Sequence, residues 1–110
     1  MTTDAYLRFP HVHESNVVFV AEDDVWLADR GGGRAYRVSA DQTPARSPRI
    51  SPDGSQVAWS AVRDGASEVY VAAIEGGVST RLTYWGQATT LVRGWLSPHE
   101  VLVVSTVSEA

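Results

Sequence analysis

The sequence predicts an all-β fold built of β-propeller blades, each a four-stranded antiparallel meander, with about two and a half blades in the chain. Three observations carry this expectation. Apolar residues alternate with period two in several short runs, the mark of half-buried strands. Clusters of turn-forming residues separate those runs. The pattern also repeats: Gly32 and Gly76, Trp26 and Tyr70, and Arg37-Val38-Ser39 and Arg81-Leu82-Thr83 each stand 44 residues apart. A repeat in the forties with four strands per unit is characteristic of propellers. Apolar spacing of three and four is nowhere sustained, so no long helix is expected.

The first blade is expected over about residues 6–39. Met1 to Ala5 forms a frayed terminus. Tyr6 to Val12 is an extended lead-in, which Pro10 confines to a sheet edge or an irregular strand. Asn16 to Ala21 is a hydrophobic strand with Val17 and Phe19 on one face and Val18 and Val20 on the other. Glu22-Asp23 turns the chain into Asp24 to Ala28, which carries Trp26. Asp29 to Gly33 is a glycine-rich turn, and Arg34 to Ser39 is the fourth strand. Ala40 to Ser47, polar and containing Pro44, crosses to the next unit.

The second blade, about 48–83, is the most complete copy. A short strand, Arg49-Ile50, enters Ser51-Pro52-Asp53-Gly54. There Pro52 presets a turn and Gly54 supplies a positive φ. Gln56 to Ala61 alternates, with Val57 and Trp59 on one face and Ala58 and Ser60 on the other. Asp64-Gly65 turns into the alternating run Glu68 to Ile74. Glu75-Gly76-Gly77 turns again, and Ser79 to Thr83 closes the unit. A partial third blade occupies about 89–106. Thr89 to Trp95 matches the inner strand, Ser97-Pro98-His99-Glu100 the hairpin, and Val101 to Thr106 the second strand.

Composition bounds the function. The chain has 110 residues, 44% hydrophobic and 20% charged, which is ordinary for one modest soluble domain. Its net charge of −4 gives no electrostatic case for nucleic acid or an anionic membrane as partner. All nine basic residues are arginine. Cysteine is absent, so disulfides and thiolate metal sites are excluded. Apolar runs fall far short of a membrane span, and the first residues have no signal-peptide pattern, so the expectation is a cytoplasmic protein.

A propeller blade buries both faces against its neighbours, and fewer than about three repeats are expected to be unstable alone. The expected partners are therefore further propeller blades or copies of this chain, associating blade to blade as a homo-oligomer.

The lead-in Tyr6-Leu7-Arg8-Phe9-Pro10-His11-Val12-His13, followed by Val18-Phe19-Val20-Ala21-Glu22-Asp23-Asp24-Val25-Trp26-Leu27, resembles the extreme N-terminus of tricorn proteases. Glu75-Gly76-Gly77, Arg81-Leu82-Thr83-Tyr84-Trp85-Gly86 and Gly94-Trp95 with Ser97-Pro98 fit the same region. The resemblance covers nearly the whole chain. Its repeat elements are shared with TolB-like propellers and with those of prolyl oligopeptidases, whereas the lead-in and Leu82 to Gly86 point to tricorn. His99-Glu100, standing where the second unit has Asp53-Gly54, departs from the pattern.

The resemblance implies the start of a six-bladed propeller in a large cytoplasmic serine peptidase that trims oligopeptides and assembles into hexamers. In such a protein this segment serves as scaffold and peptide passage. The catalytic residues of that family lie far downstream, and none maps onto a position here. The alternative is a TolB-like module that docks another protein on its propeller face.

Other chemistry is weakly signalled. His11 and His13 share a strand face at a spacing that suits a metal pair, but no third ligand is near in sequence. Polar residues of inner strands commonly line a propeller channel. Arg49 and Arg93, also on inner strands, are placed to meet peptide carboxylates. These four residues are the candidate peptide-channel set. Glu22-Asp23-Asp24 lacks the remaining ligands of an EF-hand loop and fits Asx-turn chemistry. Ser51, Ser60, Ser97 and Ser105 are not in nucleophile elbows. Gly31-Gly32-Gly33 has neither the lysine nor the following helix of a phosphate loop. Trp26 and Trp59 are expected in blade cores, and Trp85, in a loop, at a surface or interface. No catalytic, cofactor or metal residue is assigned.

Overall fold

The structure, a computed structural model, describes residues 8–32, 35–39, 43–63, 65–87 and 89–105. The expectations at Met1 to Leu7, Gly33, Arg34, Ala40 to Gln42, Asp64 and Thr106 lie outside these residues. Among the described residues, ten strands form three antiparallel sheets. The first sheet runs β1 (Arg8–His13), β2 (Asn16–Ala21), β3 (Asp24–Asp29) and β4 (Tyr36–Arg37) in spatial order. The second runs β5 (Ala45–Ile50), β6 (Gln56–Arg63), β7 (Ala66–Ala73) and β8 (Thr80–Arg81). The third is the hairpin β9 (Thr90–Ser97) with β10 (Glu100–Ser105). The all-β meander architecture is thus as expected, with no helix among the described residues.

The middle sheet is buried on both faces. Val57, Trp59 and Ala61 of β6 join Val18 and Val20 of β2 and Val25 and Leu27 of β3 in one apolar seam. Ala58 of β6 and Val69 of β7 meet Val92 of β9, with Trp95, Val101 and Val103 alongside, in a second. The alternation read from the sequence therefore assigns each side chain of β6 to one of two neighbouring sheets, not to core or solvent. Trp59 is fully buried and stacks on Tyr70, its cross-strand partner, at 6.4 Å between ring centres. Burial of such a side chain is worth about 1.5–3 kcal/mol. Trp26, on the far face of the first sheet, is only half-buried, and its indole N–H donates to the Ala21 carbonyl.

Several boundaries differ from expectation: β6 runs on to Arg63, β7 begins at Ala66, and Glu100 starts β10 instead of ending the hairpin. The first strand of the second sheet begins at Ala45, not Arg49, so Ala45 to Ser47 belong to a strand and not to the crossing loop. Here a β-bulge hides the pattern: Ser47 and Pro48 together face Trp59, between the pairs Arg46 with Ser60 and Arg49 with Ala58. Ser47 takes a φ of 53°, and the bulge breaks the period-two alternation. The same device occurs in β1, where Phe9 (φ 54°) and Pro10 face Phe19. The fourth strands, β4 and β8, are shorter than expected. Their ladders end because Ser39 and Thr83 turn their hydroxyls inward and take the Val25 and Val69 amides.

Candidate functional site

The first strands of the three sheets lie side by side, β1 against β5 and β5 against β9, along one edge of the stack. Their sequences are Arg-Phe-Pro-His-Val-His, Ala-Arg-Ser-Pro-Arg-Ile and Thr-Leu-Val-Arg-Gly-Trp-Leu-Ser. None contains a carboxylate, although the protein has 13 Asp and Glu against nine Arg. Arg8, Arg46 and Arg93 are exposed there, and Arg49 is half-buried with its guanidinium donating to the Pro48 carbonyl at 3.0 Å. The edge is therefore positive in an acidic protein, and it can attract anions through charge.

Of the four candidate channel residues, the structure brings three together. His11 Nδ1 accepts the Ile50 amide at 3.1 Å, so β1 is bonded across to β5. His13 Nε2, 2.9 Å from the Pro52 carbonyl, is a donor there, since a carbonyl only accepts. Gly54 explains the close approach of that turn: a Cβ built on it would lie 3.3 Å from the His13 ring, on a backbone with φ 77°. The His11 imidazole is held below its ordinary value of 6.5, first by burial and then by the charges of Arg49 and His13. Arg93 stands apart on β9 as an exposed residue. Both histidines thus join the first two sheets. No group of three or more His, Cys, Asp or Glu able to hold a metal gathers among the described residues.

A second constellation recurs in each complete sheet, at the opposite edge. In the first, the Ser39 hydroxyl donates to buried Asp24 at 3.1 Å and accepts the Val25 amide at 2.9 Å. Arg37 pairs with Asp24 and with Glu22, each at 3.5 Å, and its guanidinium lies 4.8 Å from the centre of the Trp26 ring. In the second sheet, Thr83 donates to buried Glu68 and accepts the Val69 amide at 2.9 Å, while Arg81 pairs with Glu68 at 3.2 Å. The three positions are all 44 residues apart.

Glu68 does more than Asp24. Its extra methylene lets it reach the Trp85 amide at 3.1 Å and the Gly86 amide at 2.7 Å. Burial pushes this carboxyl up, but the Thr83 hydroxyl, the two amides and the Arg81 guanidinium outweigh that and hold it below its ordinary value. The loop after β8 is pinned through its backbone, and Tyr84 and Trp85 are left 72% and 51% exposed. Trp85 is therefore at the surface, as expected from the sequence.

Sequence reasoning missed the two acids. It placed Asp24 at the start of a strand, where it is, but read its carboxylate together with those of Glu22 and Asp23 as Asx-turn chemistry. Glu22 and Asp23 do form the turn, with φ of 52° and 69°, but Asp24 is the buried start of β3. The available signal was the 44-residue offset, which links Asp24 to Glu68 as it links Ser39 to Thr83.

Successive four-stranded meanders, packed face to face with their first strands on one edge, define a partial β-propeller. The solved structures agree: a TolB-type protein of Agrobacterium tumefaciens superimposes with a TM-score of 0.70 at 21% identity, covering 84% of this chain and 35% of that one. A family profile for the tricorn protease N-terminal beta propeller domain matches residues 4–110, and the chain belongs to that family. Tricorn protease homolog 1 of Streptomyces coelicolor is 60% identical over 106 residues, 96% of this chain and 10% of that protein. Homolog 2 of the same organism is 45% identical over 95 residues, 86% of this chain and 8% of that protein. The chain thus spans about a tenth of the length of these relatives, and the part it matches is propeller, not a catalytic domain.

Proposed function

We propose that this segment is a non-catalytic scaffold and peptide passage in a cytoplasmic, tricorn-type serine peptidase that trims oligopeptides. One observation carries the passage reading. The three first strands bear four of the nine arginines and no carboxylate, while the chain as a whole is acidic. In a closed propeller the first strands surround the axis, so a peptide threading it meets positive charge. Arg49 and Arg93 are the groups assigned to its carboxylates. The double variant Arg49→Gln, Arg93→Gln in the full-length protein is expected to slow processing of acidic oligopeptides, most at low ionic strength. Unchanged processing of such peptides removes the reading.

A second reading, a TolB-like module that docks another protein, is favoured by the Tyr84-Trp85 loop. Glu68 holds its backbone while both rings stay exposed, and pre-ordered exposed aromatics are the usual anchors of protein contacts. Trp85→Ala distinguishes the two: it weakens partner capture under the docking reading and leaves peptide processing intact under the passage reading.

A further inference from the structure

The two seams of this stack are fastened by different chemistry. Between the second and third sheets the polar links among the described residues include Trp95 Nε1 to the Arg49 carbonyl, the Val92 amide to Ser60 Oγ, and Ser67 Oγ to the Thr90 carbonyl. No group in these three links titrates between pH 4 and pH 8. Between the first and second sheets, two of the links are made by imidazoles, and the two behave oppositely toward a proton. His13 already donates from Nε2 to the Pro52 carbonyl, and an imidazolium keeps that bond. His11 accepts the Ile50 amide on Nδ1, and protonation at Nδ1 sets two N–H groups against each other.

We propose that the seam between the first two blades is an acid-sensitive hinge, opened by protonation of His11, and that the next seam is not. This rests on the blade packing and not on the peptide-passage reading. The charged surroundings act in the same direction. Arg49 on β5 and His13 on β1 disfavour a proton on His11, and Arg46 of β5 lies over the Phe9 ring of β1. β2, paired with His11 through Val18, carries no charge, and β6 carries only Arg63 at its far end. Of the carboxylates in the adjoining turns, Glu14 is exposed beyond the end of β1, and Asp53 is taken up by the Ser51 and Ser55 hydroxyls and the Ser55 amide, which hold it down to about 2.

The sign follows. His11 has its value lowered in the folded protein, so the unfolded or opened chain binds the proton more readily. The seam is closed above about pH 6.5 and loosens as pH falls through 6.5 toward the lowered value.

Hydrogen exchange by mass spectrometry on the full-length protein, corrected for the intrinsic pH dependence of exchange, tests this. Between pH 7.5 and 5, protection of the 46–51 segment is expected to drop roughly three- to tenfold, the worth of one hydrogen bond. Protection of 90–95 is expected to stay level. His11→Asn, which offers an amide oxygen near the Nδ1 position and does not titrate, abolishes the drop. His13→Gln leaves it in place. A level profile at 46–51 in the unsubstituted protein overturns the proposal without any variant. A drop that persists in His11→Asn overturns it too.

Discussion

Asp24 and Glu68 are the same buried acid in successive blades. Each lies near the start of a third strand, Asp24 first in β3 and Glu68 third in β7, accepts a hydroxyl from a residue 15 positions on, and faces an arginine two residues before that hydroxyl. The hydroxyl in turn accepts the amide following the acid. Each fourth strand is thus fastened to its third by a charged network at the point where the backbone ladder stops.

Thr83 is the centre of the second network, so Thr83→Val is expected to destabilise the blade by about 3 kcal/mol. It removes two bonds, leaving the buried Val69 amide without a partner and Glu68 Oε1 with the Trp85 amide alone. Thr83→Ser retains both bonds and is expected to cost less than about 1 kcal/mol. Hydrogen exchange of the 66–83 segment in the full-length protein reads this opening. A greater loss for Thr83→Ser than for Thr83→Val would show that the methyl group, not the hydroxyl, matters.

The same network gives an acid limb to stability. Because Glu68 is held below its ordinary value of 4.5, the folded state releases its proton more readily than the unfolded chain. Its contribution is complete above that ordinary value and is lost as pH falls through the lowered one. Glu68→Gln is expected to flatten this part of the pH profile of 66–83 protection between pH 5 and 3. An unaltered slope would place the titration elsewhere.

Tyr70 makes the opposite case. Its hydroxyl is buried with no hydrogen-bond partner among the described residues, and the Arg63 guanidinium sits 4.3 Å from its ring centre. Tyr70→Phe is expected to be neutral or to stabilise by up to about 1 kcal/mol, since no bond is lost and a buried polar group is removed. A loss above about 1 kcal/mol, measured by the same exchange experiment, would mean the hydroxyl is satisfied.

Gly54 is constrained twice, by φ 77° and by the His13 ring 3.3 Å from its would-be Cβ. Gly54→Ala is expected to cost about 1–2 kcal/mol and to loosen the His13 bond to Pro52. Increased exchange at both 8–13 and 51–56 is the expected readout. A change confined to 51–56 would separate the turn from the seam.

The strands and the 44-residue repeat were legible in the sequence because period two marks which side chains share a face, and turns mark where runs end. Val57 with Trp59 and Ala58 with Ser60 were separated correctly on that basis. The extra stretch of β5 was not legible, because the bulge at Ser47-Pro48 breaks the alternation that signals a strand. The seam contacts were not legible either. His11 and Ile50 are 39 residues apart, and only the packing angle between blades brings an imidazole to that amide. The clamp was half legible: Arg37 with Ser39 and Arg81 with Thr83 carried the repeat, but their acids lay hidden among the turn residues and strand starts.

The account depends on this chain being part of a larger wheel. On the outer face of the third sheet Leu102 is 44% and Val104 51% exposed, and Val12 is half-exposed on the outer face of the first. In the corresponding positions of the inner seams, side chains are buried against the next blade. Size-exclusion chromatography with light scattering on the 110-residue chain alone is the most direct test. The account predicts blade-to-blade association or a poorly folded chain. A well-folded monomer would contradict it.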